Sequence, residues 1–96
     1  MDQDAYGLAL RIAQARGWDC RPQGFGASQA RLLVESEERW LGITLAPDDL
    51  VLLAAGHVVD GTPGNPEVET SATGSDLESL LAELDLLWQR LAGQKA

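Results

Sequence analysis

Residues 30–45 read ARLLVESEERWLGITL, and the fold class turns on this stretch. Ala30, Leu32 and Val34 alternate with Arg31 and Glu35, the period of a strand with one buried face, and only Leu33 departs from it. Ser36, Glu37 and Glu38 make a polar break. From Arg39 the period of two resumes, with Leu41, Ile43 and Leu45 on one face and Trp40, Gly42 and Thr44 on the other. Two such runs joined by a short polar turn predict a β-hairpin. The alternation turns Trp40 away from the core, so a bare sheet surface would expose it.

Toward the N-terminus, residues 4–16 predict an amphipathic helix, with Asp4 as its cap and Leu8, Ile12 and Ala15 on one side. Gly17 stands where a left-handed stop belongs, and Trp18 where the hydrophobic contact of a Schellman ending belongs. A short strand over 18–22 follows, then a loop over 23–28 whose one large apolar side chain is Phe25.

Toward the C-terminus, residues 50–59 are the ambiguous segment. Pro47, two acids and Gly56 suit a short helix, but Val58 and Val59 continue the apolar run, and the strand is the reading adopted. Residues 60–66 (DGTPGNP) are a loop, and 67–73 a polar edge strand. Ser75, Asp76, Leu77 and Glu78 spell a capping box, after which Leu77, Leu80, Leu81, Leu84, Leu87, Trp88 and Leu91 trace a wide apolar stripe up to Gly93. A helix, three to five antiparallel strands and a helix give an α+β two-layer sandwich, because both helices must bury their stripes on one sheet face. Residues 1–96 form one domain, with 93–96 expected as a flexible tail.

The chain has the apolar content for one core but not the length for two. Its single cysteine, Cys20, excludes an intrachain disulfide, so a reducing, cytoplasmic setting is expected. The acidic start (Met1, Asp2, Gln3, Asp4) lacks the positive charge of a signal peptide, and no apolar run has the ~20 residues of a membrane helix.

The formal net charge is −8, and it is unevenly distributed. Residues 1–39 hold five arginines against six acids, while no Lys or Arg occurs from Asp48 through Asp85. Such a field repels nucleic acid and anionic membrane and attracts basic protein surfaces.

Catalytic and metal patterns are weak. One Cys and one His do not make a zinc set, and residues 60–67 carry too few acids and two prolines for a calcium loop, so no cofactor is expected. Ser28 lacks the second glycine of a nucleophile elbow, and Gly24 and Gly26 lack the third glycine of a phosphate cradle. Cys20 and His57, with Asp60, are the only thiol constellation, and they matter only if they converge.

The sequence therefore predicts a non-enzymatic interaction module that presents an acidic surface to a basic protein, as small inhibitors, antitoxins, immunity proteins and phage anti-defence proteins do. Its docking residues would be Asp48, Asp49, Asp60, Glu67 and Glu69, with Trp40 as an anchor. Two alternatives are a dimeric secretion-type chaperone or adaptor, joined through the C-terminal helix, and a ligand pocket or enzymatic site near Cys20 and His57.

Overall fold

A computed structural model describes residues 4–24, 28–34, 36, 38–73 and 76–94. The elements run α1 (Ala5–Arg16), β1 (Cys20–Gly24), β2 (Gln29–Val34), β3 (Arg39–Ala46), β4 (Leu50–Val59), β5 (Thr62–Pro63), β6 (Val68–Thr73) and α2 (Leu77–Gln94). All strand pairs are antiparallel. Chain order is spatial order from β1 through β4, whose outer edge takes β5 beside Val58 and Val59 and β6 beside Leu50 to Ala55. Residues 50–59 are thus a strand, and the stretch read as pure loop contains a two-residue strand.

The helices begin and end as local chemistry dictates. Asp4 accepts the Gly7 N–H at 2.7 Å, and Gly17, at φ 66°, ends α1 while the Trp18 N–H reaches the Ala13 carbonyl at 3.1 Å. Asp76 caps α2, accepting from the Glu78 N–H at 3.1 Å and from the Ser79 hydroxyl at 2.8 Å. Ser75 of the expected capping box and Phe25 of the expected loop lie outside the described residues. Helix α2 also continues through Gly93, which the sequence reading took as its stop, to Gln94.

Both helices bury their stripes on the sheet face carrying Leu32, Leu41, Ile43, Val51 and Leu53. The α1 stripe is Ala5, Leu8, Ala9 and Ile12, and Ala15 is exposed, a shift of the expected face toward the helix start. From α2 come Leu80, Leu84, Leu87 and Leu91, all at most 1% exposed. Each such leucine contributes about 1.5–3 kcal/mol through burial. Trp18 and Trp88 pack against this same core. Trp18 meets Trp88 at 5.2 Å between ring centroids, and the Arg39 guanidinium lies 4.1 Å above the Trp88 ring.

Candidate functional site

Helix α1 packs on β1 to β3, and α2 packs on β4 and β6. Because strand order follows chain order, the uneven charge of the sequence becomes a spatial division. Arg11, Arg16, Arg21 and Arg31 belong to α1, β1 and β2, whereas the run without Lys or Arg forms β4, β5, β6 and the first half of α2. The two sides meet where the Arg16 guanidinium donates to the Asp85 carboxylate at 2.5 Å.

The expected docking acids fall along this second side. Asp48 and Asp49 are the central residues of the Pro47–Leu50 turn, with φ values of 64° and 58°, left-handed backbone that Asp tolerates better than most residues. Since Thr73 pairs with Leu50, this β3–β4 turn lies at the same end of the sheet as the C-terminus of β6, one strand over. Glu69 sits within β6 opposite Ala54, and Glu67 immediately precedes the strand. Glu67 and Glu69 therefore border one edge strand, about 17 Å long at the ordinary strand rise, and Asp48 and Asp49 lie near its C-terminal end. Asp60 stands apart, in the tight Asp60-Gly61 turn at the far end of β4.

Glu67 is engaged by the Nδ1 atom of His57. Asp48, Asp49, Asp60 and Glu69 are exposed and, among the described residues, have no cationic partner.

Trp40 requires a correction. It does lie on the face opposite Leu41 and Ile43, but it is only 2% exposed, so it is not a surface anchor. The indole lies flat on the sheet because two neighbours have no side chain. A β-carbon on Gly42 would stand 3.0 Å from the ring, and one on Gly56, directly across the ladder, 2.7 Å from Nε1. Such glycines inside strands signal a close approach, and they were the clue in the sequence to a covered ring. The segment ending at Pro66 closes over one end, bringing the Asn65 carbonyl to Gly56, and the Arg31 guanidinium stacks 5.1 Å from the ring centroid. Among the described residues, Trp40 Nε1 is buried there without a hydrogen-bond partner.

Around this ring the uncovered sheet face holds a cleft of about 620 Å³, with Trp40, Gly42, Leu52 and Ala54 in its floor and Arg31 and Glu69 among its lining. A second groove, of about 350 Å³, lies between β6 and α2 and is lined by Thr70, Glu83, Leu86, Leu87, Gln89 and Arg90. Leu86 is 56% exposed there. Sequence reasoning found neither hollow, because both depend on which elements become neighbours.

Cys20 and His57 do not converge. Cys20 pairs with Val34, and across the next two ladders Arg39 pairs with Val34 on one side and His57 on the other. Three strand spacings separate the two residues, roughly 14 Å and well beyond hydrogen-bond reach. Among the described residues no three His, Cys, Asp or Glu side chains assemble, and no helix is long and apolar enough to cross a membrane. No family model, curated protein or solved structure matches this chain.

Proposed function

We propose that this chain is a non-enzymatic protein-interaction module whose acidic side, built from β4 to β6, docks onto a basic surface of a partner protein and acts by covering it. The observation that carries this reading is the segregation of charge. The run from Asp48 to Asp85, which forms β4, β5, β6 and the first half of α2, contains no Lys or Arg, although Arg90 follows later on α2, and Asp48, Asp49, Asp60 and Glu69 have no cationic partner among the described residues. Uncompensated carboxylates on one side of a small protein speed encounter with a cationic surface and reject anionic ones. A surface that normally holds nucleic acid would suit it as a target, and masking such a surface is inhibition by occlusion.

The test uses affinity capture at low and high salt, comparing the native chain with a variant carrying Asp48→Asn, Asp49→Gly, Asp60→Asn and Glu69→Gln. These changes keep turn-compatible residues while removing charge. A basic protein should be captured by the native chain, released by salt and lost with the variant. A partner retained equally by both would refute the reading.

A further inference from the structure

The acidic side contains an unfinished sheet edge. Among the described residues β6 pairs with β4 alone, so the alternate N–H and C=O groups on its outer side have no strand there to receive them. Sheet edges are commonly blunted by proline, lysine or a bulge. At the other end of the sheet, β1 carries Pro22 and Arg21, but β6 (Val68–Thr73, VETSAT) has neither proline nor lysine. Its flanks are shaped as well. On the helix side runs the groove with half-exposed Leu86 beside Leu87, and on the open side stand Glu69 and Ser71, at the lip of the larger cleft.

We infer that β6 receives an extended, cationic segment of a partner protein as an additional strand, in which apolar side chains alternate with lysine or arginine. This rests on the reading of the acidic side given above and specifies how that side is used. In strand addition, main-chain hydrogen bonds supply affinity and flanking pockets select every second side chain. Here the side chains on the helix side enter the Leu86–Leu87 groove, and those on the open side meet Glu69. Asp48 and Asp49 lie near the C-terminal end of β6, one strand over, so cations at that end of the segment and opposite Glu69 are attracted. A second copy of this chain fits less well, because joining two β6 edges would bring together two runs whose charged residues are all acidic.

The probe is a short fluorescein-labelled peptide of alternating lysine and valine, compared with one of alternating lysine and proline, equal in charge but unable to form a ladder, and one of alternating glutamate and valine. Binding is followed by fluorescence anisotropy and amide hydrogen exchange. The Lys-Val peptide should bind about tenfold more tightly than the Lys-Pro peptide, the equivalent of losing one or two hydrogen bonds. It should newly protect the alternate amides of Val68–Thr73 that β4 leaves unpaired. Glu69→Lys and Leu86→Asp should each weaken it, and Leu10→Asp, on the exposed side of α1, should not. Equal binding of both basic peptides without new protection in β6 would overturn strand addition and leave the acidic docking side standing. Binding of neither basic peptide would overturn both. Equal binding of the Glu-Val peptide, or a homodimer sealed through β6, would overturn the cationic segment as occupant.

Discussion

Gly56 sits directly across the β3–β4 ladder from Trp40, and the indole Nε1 occupies space 2.7 Å from where a Gly56 β-carbon would stand. The Asn65 carbonyl comes closer still to that position, at 2.6 Å. An added methyl group would meet a rigid ring and a backbone oxygen together. Gly56→Ala should therefore lower stability by about 1–3 kcal/mol, the usual range for overpacking, as measured by chemical denaturation. Gly42→Ala, tight only against the ring at 3.0 Å and at ordinary contact distance from the Ala54 carbonyl, should cost less.

The same ring allows packing to be separated from hydrogen bonding. Trp40→Ala removes a large, almost fully buried side chain and should cost about 3–5 kcal/mol. Trp40→Phe keeps an aromatic body while deleting an N–H that has no partner among the described residues, so its loss should be much the smaller. Equal losses from the two substitutions would show that the N–H is satisfied.

In the β3–β4 turn, two consecutive aspartates hold left-handed backbone. Asn and Gly adopt that conformation at lower cost, so the double substitution Asp48→Asn, Asp49→Gly should leave thermal stability unchanged or raise it by up to about 1 kcal/mol. The same protein should show reduced, less salt-sensitive binding to a basic partner.

The Arg16–Asp85 pair connects the two helices, but both side chains are partly exposed, at 32% and 45%. Asp85→Asn should therefore cost less than about 1 kcal/mol, and high salt should remove most of the difference between the two proteins. A larger loss that persists in salt would mean that the Asp85 side chain contributes mainly through packing.

Loss of a helix cap should be felt more strongly. Asp76 accepts from both the Glu78 N–H and the Ser79 hydroxyl, so Asp76→Ala should lower stability by about 1 kcal/mol or somewhat more. Amide exchange in the first turn of α2 should rise with it.

Much of the architecture was legible because it is encoded over short distances. The period of two in residues 30–45, the left-handed stop at Gly17 and the leucine spacing of 80–91 each dictate a local geometry that tertiary packing kept. The strand over 50–59 was settled by Val58 and Val59, which extend the apolar run past Gly56 into the β4–β5 turn. Trp40 was misread for a different reason. Alternation assigns a side chain to a face, but whether that face is covered depends on the 64–66 segment and on Arg31, which come from other parts of the chain. The alignment of Glu67 and Glu69 along β6 follows from β5 and β6 sharing the outer edge of β4, a pairing no local pattern states. Asp60 falls outside that alignment because β4 continues past Ala55 before turning.

The consecutive pairing of β1 through β4 also has a kinetic side. Each hairpin closes a short loop, so these strands can form early and cheaply in chain entropy. β6 reaches β4 through the Asp60-Gly61 turn and the segment after it, and among the described residues it has a ladder on one flank only. With its ladder on one side, this margin of the sheet should be the first to open in local unfolding. An added strand would then act as a clamp, slowing exchange throughout β6 and carrying that rigidity into the start of α2.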